Sequence, residues 1–213
     1  MNPRLRRLQS DYQLVREVFS GHPHVRVEPV GSRLPPERYR LEFRLRGLYL
    51  NGNQPNYRDT HEVEITLSRR YPAERPYVVP LAPIFHPNIR ELFCIADHWA
   101  AATTLADVIA KLADMIQWRI YNVASPLDPI AAQWAIEQEP TGLFPIDDVD
   151  LGVAEVDVEV RESDAFSTAC SATAPMPDVG ELPGIAGPGA VEDGEVVLLL
   201  RAPAPSYEHV EEI

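Results

Sequence analysis

The sequence predicts an α+β fold: an N-terminal helix, a four-stranded antiparallel meander, a long loop and two C-terminal helices. Three observations carry this. Apolar residues recur at helical spacing at the start of the chain, alternate with period two in two stretches between residues 39 and 67, and return to helical spacing after residue 104.

Leu5, Leu8, Tyr12, Val15 and Phe19 form one apolar stripe, which predicts a helix over 4–19 ended by Gly21-His22-Pro23. Val25 and Val27 suggest a short first strand. In 39–46, Leu41, Phe43 and Leu45 alternate with Arg40, Glu42, Arg44 and Arg46, as in a half-buried strand. Asn51-Gly52-Asn53 marks a turn-rich connection. Residues 62–67 alternate again, and 77–81 make a fourth strand bracketed by Pro76 and Pro80. The first helix is expected to cover one face of this sheet. Leu105, Val108, Ile109, Leu112 and Ile116 then repeat at helical spacing behind a Thr104/Asp107 capping box. Asp128 before Pro129 opens a last helix carrying Ile130, Trp134 and Ile136.

The composition changes near residue 140. Residues 1–140 carry 17 Lys+Arg against 16 Asp+Glu, a net of +1, whereas 141–213 carry two (Arg161 and Arg201) against 16, a net of −14. With seven Pro and seven Gly, 141–213 is expected to be an acidic extension, partly disordered, and 1–140 the folded domain. Val156, Val158 and Val160, and the run Val196-Val197-Leu198-Leu199-Leu200, read as short strands or linear binding motifs. Such acidity argues against nucleic acid as a partner, because phosphate affinity needs clustered Lys and Arg. No apolar stretch reaches the roughly 18 residues that span a bilayer. Gln9-Ser10-Asp11 follows Arg4, Arg6 and Arg7 where a signal peptide would have an apolar core. With only two cysteines, one in each part, a disulfide scaffold is not expected and a reducing, cytoplasmic setting is.

Cys94 is the only cysteine in the domain, and it follows the turn signal His86-Pro87-Asn88 by six residues. A single cysteine in a globular domain is often just a small buried hydrophobe. Its surroundings argue for chemistry. Tyr71-Pro72-Ala73-Glu74-Arg75-Pro76 resembles the Tyr-Pro-x-x-Pro-Pro turn of the ubiquitin-conjugating enzymes, keeping only the last of the paired prolines. His86-Pro87-Asn88 matches that family's His-Pro-Asn motif, Cys94 falls where its acceptor cysteine follows, and Trp99 resembles the tryptophan beyond. Pro126-Leu127-Asp128-Pro129-Ile130 resembles the Pro-Asp-Asp-Pro-Leu segment that opens its next helix, with Leu127 replacing the first aspartate. The resemblance covers roughly 4–139. The segments from Asn88 to Cys94 and from Cys94 to Trp99 are shorter than the family pattern. With the abundance of arginine over the single Lys111, this is similar to the bacterial ubiquitin-like conjugation systems.

The resemblance implies the ubiquitin-conjugating-enzyme fold and a transferase. Cys94 would take the C-terminal carbonyl of a ubiquitin-like modifier from a cognate activating enzyme as a thioester, then pass it to an amine on a protein acceptor, with no cofactor or metal. A thiolate is the nucleophile in such transfers. Asn88 would either supply an amide donor to the oxyanion or simply shape the turn. Asp128 would orient the incoming lysine, although a helix N-cap explains it equally. Arg4, Arg6 and Arg7 match the basic end of the first helix that family members present to the activating enzyme, with a solvated helix face as the plain alternative. The sole lysine, Lys111, fits codon bias in a GC-rich genome, with avoidance of self-modification as the functional alternative. Two other functions compete: a non-catalytic adaptor of the same fold, and a cysteine hydrolase using Cys94 with His98. The hydrolase would need an orienting group and an oxyanion turn, neither of which is visible. His86 is expected to pack rather than titrate.

Overall fold

The computed structural model describes residues 2–96 and 99–152. All of these fall within one compact unit. The elements run α1 (Pro3–Phe19), β1 (Val25–Pro29), β2 (Arg38–Phe43), β3 (Gly47–Asn51), β4 (Gln54–Arg58), β5 (His61–Thr66), β6 (Tyr77–Pro80), α2 (Leu105–Ile116) and α3 (Pro129–Gln138), followed by a 3-10 turn at Glu139–Thr141. His98 and the apolar strings expected beyond residue 152 lie outside the described residues.

The fold is mixed α+β, with an N-terminal helix and a four-stranded antiparallel sheet in the order β1-β2-β5-β6. Period-two alternation puts Tyr39, Leu41 and Phe43 of β2 and Val63 and Ile65 of β5 on one face, all essentially buried. Leu8, Val15 and Phe19 of α1 and Leu105, Ile109 and Leu112 of α2 complete the same core. α1 packs on both β1 and α2. Asn2 caps α1, accepting from Arg4 N–H at 3.0 Å, and the Thr104/Asp107 capping box at α2 has both of its reciprocal bonds.

One buried polar cluster joins these layers. Asp11 interrupts the apolar face of α1, and its carboxylate accepts from the Tyr71 hydroxyl at 2.6 Å, Arg7 Nε at 2.7 Å and Leu105 N–H at 3.2 Å. The last bond places the carboxylate at the positive end of α2, where the helix dipole favours it. The Tyr71 ring lies against Trp99, with centroids 5.7 Å apart. Burial and Asp11 hold the Tyr71 hydroxyl protonated, well above the usual tyrosine range.

Three features differ from the sequence-based expectation. The turn-rich connection is a two-stranded hairpin, β3 against β4, turning at Gly52 with φ +62°. Its second strand, Gln-Pro-Asn-Tyr-Arg, lacks the apolar alternation that flags a core strand. It leaves the sheet at Gly47, where a Cβ would sit 2.8 Å from both Ile116 O and His61 Nε2. Next, α3 buries Ala131, Ala132 and Ala135, while Ile130 and Ile136 face solvent at 69% and 50% exposure. Small residues allow the helix to approach closely, so size rather than hydropathy sets its inner face. Finally, the packed domain runs past residue 140. Ile146 N–H donates to Gln117 O at 2.8 Å, Val149 N–H to Gln117 Oε1 at 2.6 Å, and Leu151 is buried in the main core.

Candidate functional site

The segment from His86 to Cys94 is a closed loop. Ile89 N–H donates to His86 O at 3.2 Å, Phe93 N–H to Val78 O of β6 at 2.9 Å, and Cys94 N–H to Asn88 O at 2.8 Å. The last bond sets Cys94 beside Asn88 despite the short spacing between them. Apolar anchors hold the loop down, since Ile89, Phe93 and Ile95 all belong to the main core.

His86 is fully buried, edge-on to Trp118 at 4.9 Å. Its Nδ1 accepts from Asn88 N–H at 3.1 Å, so Nε2 carries the proton and donates to Ile120 O at 3.2 Å. Burial lowers its pKa to about 3, so the ring is neutral at ordinary pH and serves as a strut.

Asn88 is the hub of the site. Its Oδ1 accepts from Asn122 N–H at 2.6 Å, and Nδ2 donates to Asn122 O at 2.9 Å and Ser125 O at 3.3 Å. Both amide protons therefore reach backbone carbonyls, and the side chain pins the 120–125 segment to the thiol loop. Pro87 O extends the junction by accepting from Leu127 N–H at 2.7 Å and Asp128 N–H at 2.9 Å. The three residues of the motif thus divide the work, with His86 holding 120, Pro87 holding 127–128 and Asn88 holding 122 and 125.

The chain reaches this junction from α2 through a residue that the sequence reading did not single out. Trp118 has φ +61°, a left-handed conformation usually given to glycine. Trp118 N–H donates to Met115 O at 3.1 Å and Arg119 N–H to Asp114 O at 2.9 Å, the paired bonds that terminate a helix through one left-handed residue. Such a conformation costs on the order of 1–3 kcal/mol outside glycine. Packing holds it: the indole stacks on Phe144 at 4.8 Å and 3°, with Trp134 at 5.3 Å and Phe85 at 6.2 Å. The available signal was an omission, since the end of α2, Gln117-Trp118-Arg119, contains no glycine to make the turn.

Cys94 lies in a cleft of about 430 Å³ lined also by Asn88, Met115, Arg119, Tyr121 and Asn122. The residue is only 8% exposed. The chain's other cysteine, Cys170, is outside the described residues. No family model matches the sequence, and neither does any curated protein.

Asp128 is the N-cap of α3, and its Oδ1 accepts from Ile130 N–H at 2.9 Å and Ala131 N–H at 3.1 Å. It lines a different groove from Cys94, one shared with Ile89, Arg90 and Glu91 of the thiol loop. The arginines of α1 also separate in role. Arg4 pairs with Glu37 at 2.9 Å and donates to Ser68 O at 2.8 Å. Arg7 is held by Asp11, by Ala101 O at 2.9 Å and by Thr103 O. Arg6 is exposed and is the one of the three turned to solvent. Among the described residues, no group of three His, Cys, Asp or Glu could hold a metal, and no helix is long and apolar enough to cross a membrane.

Proposed function

We propose that this chain is a ubiquitin-like-protein conjugating enzyme with the fold of that family, carrying its modifier as a thioester on Cys94. The Cys94 thiolate attacks the modifier's C-terminal carbonyl on the activating enzyme. A C–S bond forms and the activating enzyme's thiol leaves. An acceptor amine then attacks that carbonyl, an amide forms and Cys94 departs as thiolate. No strong base beside the thiol is called for, since one that activated water would waste the thioester.

The observation that supports this most is the junction built by His86, Pro87 and Asn88. Three consecutive residues tie the Cys94 loop to the segment leading into α3, with Cys94 N–H bonded to Asn88 O at 2.8 Å. A cysteine serving only as core filler needs no such frame. In this reading Asn88 positions Cys94 by shaping its loop, because its two amide protons are already taken by carbonyls. Arg6 is the side chain in α1 best placed to meet an activating enzyme. The modifier, the activating enzyme and a protein acceptor are the partners, acting in the cytoplasm.

Incubation of the reduced protein with activating enzyme, ATP and modifier tests the reading. Wild type should form an adduct that thiol reductant removes, and Cys94→Ser should form a reductant-resistant ester. A reductant-resistant adduct on wild type itself would exclude the thioester.

A further inference from the structure

The sheet ends at β1 with one edge open. In the order β1-β2-β5-β6, no described strand pairs with the outer side of β1. Arg44 N–H donates to His24 O at 2.8 Å and Val30 N–H to Arg38 O at 2.9 Å, so the even-numbered residues here face β2. Val25 and Val27 therefore turn their N–H and C=O groups to the open edge, and Pro29, which has no N–H, turns its C=O. Between this edge and α1 lies a groove of about 190 Å³, lined by Tyr12, Val15 and Phe19 of the helix and by Val27 and Tyr39 of the sheet. Open backbone groups beside an apolar trough are where an extended segment can add as a further strand.

The chain itself supplies a matching segment. Leu151 is buried in the main core, and its backbone bonds the ring of His22, which lies midway between Phe19 and Val25. The described chain thus ends at Gly152 near the start of β1. Val156 follows four residues later, a reach of roughly 13 Å in extended chain. From there Val156, Val158 and Val160 alternate with Asp157 and Glu159, the period-two pattern of a strand with one apolar face. The run Val196-Val197-Leu198-Leu199-Leu200 has no such alternation and no carboxylate. Charge also favours the nearer segment. Arg26 points away from the core beside the open edge, and its pair with Glu28 is exposed on both sides, so an incoming carboxylate can compete for it.

We propose that residues 156–160 dock on the open edge of β1 as a fifth strand of the sheet. Their backbone pairs with Val25 and Val27, and Val156, Val158 and Val160 fill the groove against Tyr12, Phe19 and Val27. Asp157 lies on the outer face alongside Arg26. Entering at the His22 end, the segment runs parallel to β1. Docking anchors the start of the acidic extension at α1 and is independent of thioester chemistry at Cys94.

The test is backbone amide exchange, followed by NMR on the full chain, in wild type and in a Val156→Asp/Val158→Asp/Val160→Asp variant. The amides of Val25 and Val27 should exchange at least about tenfold more slowly in wild type, because the docked strand bonds them. Equal exchange at Val63 and Ile65 of β5 checks that the variant keeps the folded core. A synthetic peptide of residues 154–161 added to the variant should restore the slow exchange, and the same peptide with its three valines replaced by aspartate should not. Equal exchange at Val25 and Val27 in the two proteins overturns the proposal. Two other results overturn it as well, each with protection that survives the valine substitutions. Loss of that protection on dilution would place a second copy of the chain on the edge. Its loss on replacing Leu198, Leu199 and Leu200 with serine would place the later apolar run there.

Discussion

The side chain of Asn88 pairs with the backbone of Asn122 as one peptide strand pairs with another, Oδ1 accepting at 2.6 Å and Nδ2 donating at 2.9 Å. A primary amide has the same donor and acceptor spacing as a peptide group, so it can stand in for a missing strand. The loop from residue 120 to 125 is thereby attached to the loop that carries Cys94. Asn88 is 6% exposed, so loss of these bonds would leave backbone groups buried without partners.

Asn88→Ala should therefore destabilise the domain by about 2–3 kcal/mol, from three lost hydrogen bonds and an imperfectly refilled gap. Asn88→Asp should cost at least as much, because a carboxylate would face the carbonyls of Asn122 and Ser125. Urea unfolding checks both. An Ala variant as stable as wild type would contradict the structural role.

Acid should destabilise the protein through two buried imidazoles. Burial lowers the pKa of His61 to about 4 and that of His86 to about 3. In the unfolded chain each ring binds a proton below about pH 6.5, while the folded chain refuses it until the lower value. The unfolded state thus binds more protons across that window, and stability rises with pH there. Between pH 7 and pH 5 each ring should remove about 2 kcal/mol. Urea midpoints across this range measure the loss, and replacing His61 should flatten the slope by about half.

Truncation separates two positions for the domain boundary. A chain ending at residue 140 lacks Phe144, which stacks on Trp118, and Val149, which bonds to Gln117. Phe144 is partly buried, so losing its ring costs less than the roughly 3–5 kcal/mol of a fully buried one. A chain ending at residue 152 should melt well above one ending at 140, and only the shorter chain should lose the tryptophan emission of the packed Trp118. Equal midpoints would show that 141–152 adds nothing.

Gly47→Ala should destabilise by about 1–3 kcal/mol, because the new methyl meets the backbone oxygen of Ile116 at 2.8 Å and backbone yields poorly. Thermal unfolding tests this. A neutral outcome would mean that the β3–β4 hairpin shifts freely against α2.

These effects show which parts of the molecule could be read from sequence. The meander was legible because Leu41, Phe43, Val63 and Ile65 alternate cleanly with charges, and α2 because its capping box and apolar repeat agree. The hairpin was not legible, since its second strand is almost without apolar side chains and its place depends on room at Gly47. The composition change at residue 140 was real, yet a few large apolar side chains, Phe144 and Leu151 among them, carry the packing further than the average suggests. In the site, the residue types were legible and their bonds were not. Asn88 looked able to serve an oxyanion or a turn, and only the partners of Nδ2 assign it to the loop. Trp118 escaped notice because its left-handed conformation is imposed by the aromatic side chains around it rather than by local sequence.

The central claim is that Cys94 carries a modifier. The most direct measurement is intact-mass spectrometry of the reduced full chain after incubation with activating enzyme, ATP and modifier, followed by peptide mapping. The account predicts a mass increase equal to the modifier less one water, located at Cys94, absent without ATP and reversed by thiol reductant. A Cys94 that stays unmodified while its activating enzyme is charged would contradict it.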